Sequence, residues 1–225
     1  MSQNVEEMME VAAQCRETKV IAGYWGIGKK TFMKALPTIC MELNREITAV
    51  NLIATDYHYI QVEKNPNLKN SGTRNINPEW PRNYIRAIKE YMGRVDYIFI
   101  STTSDIQEAM WIADIDFTLI YPEPSLYYEY IGRYIDSIYR ADTSPKKDKA
   151  NYNRVGQMLR MWHNDIRNFE KDTTRASEVI SLGYNEFLAD ALLGYHISEE
   201  TLATILEEEK QLKAFCKNNP NYNHQ

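Results

Sequence analysis

Three glycines and a lysine lie within seven residues of each other and form the part of this chain best suited to chemistry. Residues 19–31 read KVIAGYWGIGKKT, an apolar run followed by Gly23, Gly26, Gly28 and Lys29. Glycines let a backbone wrap closely around a phosphate, with successive N–H groups turned towards its oxygens. A helix that begins directly behind the loop adds partial positive charge. The pattern therefore predicts a phosphate-binding loop in which Lys29 reaches the outer phosphates.

The match to the pattern G-x-x-x-x-G-K-[ST] is incomplete at its last position. Lys30 stands where a serine or threonine is usual, and Thr31 follows one residue later. Because the hydroxyl of this pattern helps to hold Mg²⁺, Thr31 is the candidate metal ligand of the loop. Trp25, Ile27 and Lys30 are further expected nucleotide contacts. A glycine turn that merely joins a strand to a helix is the alternative interpretation.

The composition limits the classes of function. The chain has 225 residues, 44% of them hydrophobic and 25% charged, with a net charge of −5. This is typical of one soluble α/β domain with a helical appendage, and the acidic balance argues against nucleic acid as a partner. The sequence contains no apolar run of about 18 residues, so no membrane span is predicted. Three widely spaced cysteines without a C-x-x-C pair favour a reducing compartment, so the cytoplasm is the predicted location.

Short apolar runs alternate with helical patterns along most of the chain. The predicted strands are 19–22, 47–53, 95–101, 116–121 and 179–182, and Pro37 is expected to end the first helix near Leu36. Such alternation predicts a parallel sheet covered by helices on both faces. Ligands of such folds bind at the carboxyl ends of the strands, where Gly23 and Asp56 fall.

The chain divides into three predicted parts. Residues 1–18 are expected to form an N-terminal helix, 19–195 the nucleotide-binding domain, and 196–225 a C-terminal helix and tail. Two polar segments, 61–79 and 141–153, contain clusters of Asn, Lys and Pro and lack apolar periodicity. They flank the expected site and are predicted to be mobile, as lids are.

Most of the chain resembles the P-loop nucleotide kinases, and in particular nucleoside monophosphate kinase-type proteins of phages and low-GC bacteria. The resemblance is carried by GYWGIGKKT (23–31), ATDY (54–57), PRNYIRAIKE (81–90), VDYIFIST (95–102), IDFTLIYPEPSLYYEYIGRY (115–134) and LGYNEFLADAL (182–192). It implies a three-layer P-loop NTPase fold with a parallel sheet, helices on both faces and a C-terminal helical extension. A nucleotide-binding cytoplasmic protein is expected, in the host cytoplasm if the chain is phage-encoded.

The resemblance implies roles for single residues. Arg133 matches the lid arginine that neutralises the phosphoryl group in flight. Asp56 matches an acidic position that, with Thr31, would hold Mg²⁺. Arg74 and Arg82 fall in the region of the acceptor lobe and are expected to reach an acceptor phosphate. From the residues alone, Asp56 also fits a turn or helix cap, and Arg133 an exposed helix arginine.

Two functions are consistent with these residues. The first is transfer of a phosphoryl group from ATP to a (deoxy)nucleoside monophosphate or similar small acceptor, with Mg²⁺, and with Lys29, Arg133 and Asp56 as catalytic residues. The alternative is a catalytically impaired kinase fold that sequesters a nucleotide or a cyclic nucleotide immune signal. Lys30 and Ser137, which stands where a second lid arginine is common in the group, favour the alternative. The frequency of nucleotide kinases in phages favours the enzyme, and a homodimer is one oligomeric state left open.

Overall fold

A computed structural model of the chain describes residues 17–60, 75–141 and 145–218. The predicted helix over 1–18 and the end of the tail lie almost wholly outside the described residues. The described strands are β1 (Lys19–Gly23), β2 (Ala49–Asn51), β3 (Tyr59–Ile60), β4 (Asn75–Ile76), β5 (Tyr97–Ile100), β6 (Thr118–Pro122) and β7 (Glu178–Leu182).

The helices alternate with these strands. They are α1 (Lys29–Glu42), α2 (Ala54–His58), α3 (Arg82–Tyr91), α4 (Ser104–Ile112), α5 (Tyr127–Ala141), α6 (Pro145–Asp172), α7 (Leu188–Leu193) and α8 (Glu199–Asn218). None of the described helices is long and apolar enough to cross a membrane.

Five strands form one parallel sheet in the order β2-β5-β1-β6-β7, and β3 pairs with β4 in a small antiparallel ribbon. In the central part of the sheet, Ile21 of β1 lies opposite Phe99 of β5 and Thr118 of β6. All four residues of β5 are buried, as expected of a strand covered on both faces. The sequence prediction of an α/β fold with a parallel sheet flanked by helices is confirmed.

The order of the strands identifies where the sheet opens for a ligand. The connection after β1 leads to β2 at one edge of the sheet, whereas the connection after β6 leads to β7 at the other edge. Right-handed crossovers in opposite directions place their helices on opposite faces, which leaves a crevice at the carboxyl ends of the two neighbouring strands from which they diverge. These strands are β1 and β6, and the glycine loop follows β1 directly.

Two expected boundaries differ from the structure. Helix α1 continues through Pro37 to Glu42, because the buried Phe32, Ala35 and Ile39 carry its apolar face past the exposed proline. Helix α6 begins at Pro145, so most of the segment 141–153 expected to be a mobile loop is helical, and residues 142–144 lie outside the described part. Proline is favoured at the first position of a helix, and the polar segment lacks the apolar periodicity by which a sequence indicates a helix.

The C-terminal helix joins the main core. Its Ile205 and the preceding Ile197 are buried in the same apolar cluster as the strands. Helix α8 packs on α1, and the hydroxyl of Tyr195 donates a hydrogen bond to Glu42 at the end of α1, 2.8 Å away. The helix behind the glycine loop is therefore held by the C-terminal helix as well as by the core.

Candidate functional site

The loop between β1 and α1 has the backbone that its glycines predict. Gly28 precedes α1 with φ 96° and ψ 18°, a left-handed conformation that favours glycine. A Cβ at Gly23 would collide with the end of the Ile27 side chain, so a larger residue would require that buried side chain to move. Tyr24 and Ile27 are buried and anchor the loop, whereas Trp25 is 50% exposed. The loop therefore has an inner side held by the core and an outer side open to solvent.

Lys29 lies in the first turn of α1 and turns back over the strands. Its Nζ donates hydrogen bonds to the carbonyl oxygens of Gly23 (2.5 Å) and Ile100 (3.2 Å). These carbonyls are at the carboxyl ends of β1 and β5, so the ammonium group bridges two neighbouring strands beside the loop. Burial lowers the pKa of Lys29 from 10.5 to about 8, because the charged form loses hydration. The group remains mostly charged at neutral pH, and its hydrogen-bond partners among the described residues are carbonyl oxygens.

Lys30 and Thr31 follow in the same turn of α1. Lys30 is exposed and Thr31 half-buried. No acidic side chain lies in the first turn of this helix. The positive end of α1 therefore carries two lysines in sequence and no carboxylate, an arrangement suited to an anionic ligand.

Arg133 lies on α5 beside the loop that follows β7. Its Nη2 is paired with the carboxylate of Glu129, one helical turn earlier, and its Nη1 donates to the carbonyl of Glu186 at 3.0 Å. The guanidinium also lies against the rings of Tyr130, 4.7 Å from the centroid, and Phe187, 4.1 Å from the centroid. The structure thus places Arg133 next to the glycine loop but in an ion pair.

The rings of Tyr130 and Phe187 both lie against glycines of the loop. A Cβ on Gly26 would lie 3.1 Å from the ring of Tyr130, and a Cβ on Gly28 would lie 3.3 Å from the ring of Phe187. The amide of Leu188 donates to the carbonyl of Ile27 at 2.9 Å. The start of α5 and the loop after β7 therefore form one wall of the candidate site. Sequence reasoning missed Tyr130 and Phe187 because their contacts join three distant segments of the chain.

The residues expected on the acceptor side are more dispersed. Asp56 lies exposed in the first turn of α2, after β2, which is two strands away from β1 and hence roughly 10 Å across the sheet. Arg82 is exposed at the start of α3, and Arg74 lies outside the described residues. Among the described side chains, no three His, Cys, Asp or Glu residues gather at a metal-binding distance.

An aromatic cluster occupies the region in which these residues were expected. The imidazole of His58 stacks on Tyr59 and on Trp80, with centroid distances of 4.5 and 4.6 Å. Trp80 donates its indole N–H to Asp105 of α4 at 2.6 Å. Burial raises the pKa of Asp105, but hydrogen bonds from Thr103, from Trp80 and from backbone amides outweigh it and hold that pKa below its usual range. Trp80 is therefore held in place by its neighbours.

Tyr84 and Gln107 are buried polar residues near the ends of the strands. The Tyr84 hydroxyl donates to the carbonyl of Leu52 at 2.7 Å, and burial raises its pKa above the usual range. Gln107 is fully buried and donates to the carbonyl of Thr102 at 3.2 Å, but its Oε1 has no partner among the described residues. An unpartnered buried carbonyl is costly, so it marks a place where a water or ligand donor would be favourable.

Comparison with known proteins gives no relative on which to base a function. No protein-family model, no curated protein and no solved structure matches this chain.

Proposed function

We propose that this protein is a P-loop nucleotide-binding protein, in which the loop 23–31 holds the phosphates of ATP. The observation that carries the proposal is Lys29, whose ammonium group bridges the carbonyls of Gly23 and Ile100 at the point where the sheet opens. A lysine held by uncharged carbonyls can exchange them for phosphate oxygens without breaking an ion pair. The left-handed Gly28 and the start of α1 add backbone N–H groups at the same place.

The reaction proposed is phosphoryl transfer from ATP to a (deoxy)nucleoside monophosphate or similar small acceptor. Such transfer requires positioning and charge neutralisation more than covalent chemistry by the protein. Lys29 would neutralise the outer phosphates, and Arg133 the transferred group once it is free of its present partner. Thr31 and Asp56 would bind Mg²⁺, which normally keeps several waters and needs only one or two protein ligands in addition to phosphate oxygens.

A second candidate function is binding without turnover. The observation that favours it is the ion pair between Arg133 and Glu129, which neutralises the only lid arginine proposed for catalysis. Lys30 in place of a small residue also favours binding without turnover. A lysine supplies positive charge but not the coordination geometry of a metal ion. The ligand would then be a nucleotide or a cyclic nucleotide signal that the protein sequesters.

One assay distinguishes these functions. The protein is incubated with ATP, Mg²⁺ and a panel of nucleoside monophosphates, and ADP formation is measured against a Lys29→Ala control. In parallel, thermal shifts are recorded with ATP and with cyclic nucleotides. ADP formation that needs both the acceptor and Lys29 supports the kinase, whereas a shift without turnover supports sequestration. If no nucleotide produces either signal, both functions are wrong.

A further inference from the structure

The ion pair between Glu129 and Arg133 is unusual for two residues one turn apart on a helix, because little of it faces water. The two side chains are only 17% and 15% exposed. Exposed pairs at this spacing are weak and screened, whereas a pair removed from water is screened much less. Glu129 also accepts a hydrogen bond from the amide of Asn185 at 3.1 Å. The carboxylate thus fixes both the arginine and the loop after β7.

This pair is linked to the glycine loop through two rings. Tyr130 packs on Gly26 and Phe187 on Gly28, while the guanidinium of Arg133 lies against both rings. The two rings therefore connect the cation to the glycines of the proposed phosphate site.

The wall contains two buried oxygens whose bonding is incomplete. The hydroxyl of the fully buried Tyr130 and the Oε2 of Glu129 have no partner in good hydrogen-bonding geometry among the described residues. Burial raises the pKa of Tyr130 to about 12; the charge of Arg133 and a contact of its side chain with the hydroxyl oppose the rise, whereas Glu129 and Glu186 add to it. The hydroxyl consequently keeps its proton and can donate it in a hydrogen bond. Buried groups left in this way favour any rearrangement that gives them partners.

We propose that Glu129 restrains Arg133 in the ligand-free protein and releases it to a phosphate ligand bound by the glycine loop. The inference rests on the proposed function and adds a regulatory contact to it. While the pair is closed, its net charge is zero and the cations near the loop are Lys29 and Lys30. A polyphosphate held by the loop competes with Glu129 for the guanidinium of Arg133. On release, an ion pair of Arg133 with phosphate replaces its ion pair with the carboxylate. Apparent affinity is reduced by the fraction of the protein in which the pair is closed.

The test is a calorimetric titration with tripolyphosphate and with ATP, using the full chain. Glu129→Gln keeps the size of the side chain and one acceptor oxygen but removes its charge, and is expected to raise affinity about fivefold or more. Glu123→Gln, on the exposed segment before α5, controls for the general loss of a negative charge. In the background Arg133→Met, which keeps an apolar stem between the rings, Glu129→Gln is expected to raise affinity no more than the control does.

The outcomes separate this inference from the proposed function. If the unmodified protein binds neither ligand, the proposed function is wrong and the inference falls with it. If it binds but Glu129→Gln leaves affinity unchanged or lowers it, Glu129 only positions the wall and the inference alone is wrong. If Glu129→Gln does not fold, hydrogen exchange of the unmodified protein decides. Tripolyphosphate is then expected to change the exchange rate of the Arg133 guanidinium N–H groups, and an unchanged rate contradicts the release of Arg133.

Discussion

At the scale of single residues, Lys29 has the clearest chemical consequence. Its position beside the loop follows from its place in the motif, and the sequence predicted that it would face the phosphate site. Its two carbonyl partners and the lowered pKa could not be predicted, because they depend on Ile100, 71 residues away in the chain. For Arg133 the structure differs from the expectation. The resemblance implied a cation available to a phosphate, whereas its charge is neutralised by Glu129.

The pKa of Lys29 predicts that phosphate binding weakens at alkaline pH. With a pKa of about 8 in the free protein, the charged fraction falls about tenfold between pH 7 and pH 9, whereas phosphate groups are already ionised above pH 7. The affinity for ATP, measured by calorimetry, should fall by about the same factor. In the Lys29→Arg variant, which stays charged, affinity should be nearly constant. An unmodified protein with constant affinity over this range would show that Lys29 does not bind the phosphates.

The lowered pKa of Lys29 affects the free energy of unfolding in the opposite direction to phosphate binding. The pKa of Lys29 is lower in the folded protein than in the unfolded chain, so between about pH 8 and 10.5 the unfolded state binds more protons. The contribution of Lys29 to the free energy of unfolding should therefore rise with pH over that interval. Urea unfolding of the unmodified protein and of Lys29→Met at both pH values isolates this contribution, which should be absent from the variant.

Lys30 yields a prediction about metal dependence. Its exposed ammonium group can replace part of the charge of Mg²⁺ in binding but not the coordination geometry needed for transfer. Affinity for ATP should therefore fall less than tenfold when a chelator replaces magnesium, and Lys30→Ser should increase that dependence. A loss of tenfold or more in the unmodified protein would instead indicate a working metal site at Thr31 or Asp56.

At the scale of elements, the sequence predicted the five strands of the main sheet and most of its helices. Strands with continuous apolar residues, such as 97–100, are recognisable because both of their faces are buried. Boundaries that depend on packing were harder to predict. The proline rule predicted an end to α1 that the core contacts of Phe32 and Ile39 override, and α6 begins before its apolar pattern does.

Helix α1 therefore supports a prediction about stability. Pro37 deprives the helix of one N–H, and a proline inside a helix costs about 3 kcal/mol, part of which is offset because proline also restricts the unfolded chain. Pro37→Ala should raise the free energy of unfolding by about 1–2 kcal/mol in urea titrations. Gly132→Ala on α5, where an added Cβ meets no atom within 4 Å, is a matched control expected to gain about 1 kcal/mol. If Pro37→Ala lowers the free energy of unfolding while Gly132→Ala does not, the helix requires the proline for its shape.

At the scale of the whole molecule, the parallel sheet places the glycine loop, α5 and the loop after β7 around one opening. The order β2-β5-β1-β6-β7 brings Gly23, Ile100 and the start of α5 together, although they are far apart in sequence. The sequence predicted the loop and the edge of the sheet where a ligand would bind. It could not predict the wall of Tyr130, Arg133 and Phe187, because such contacts between distant segments leave no local pattern.

The central claim is that the loop 23–31 binds nucleotide phosphates through Lys29. Its most direct test is a calorimetric titration of ATP into the unmodified protein and into Lys29→Ala, with circular dichroism to confirm that both are folded. The account predicts saturable binding to the unmodified protein and at least tenfold weaker binding to the variant, which corresponds to about 1.4 kcal/mol. Equal affinities, or no binding by either folded protein, would contradict it.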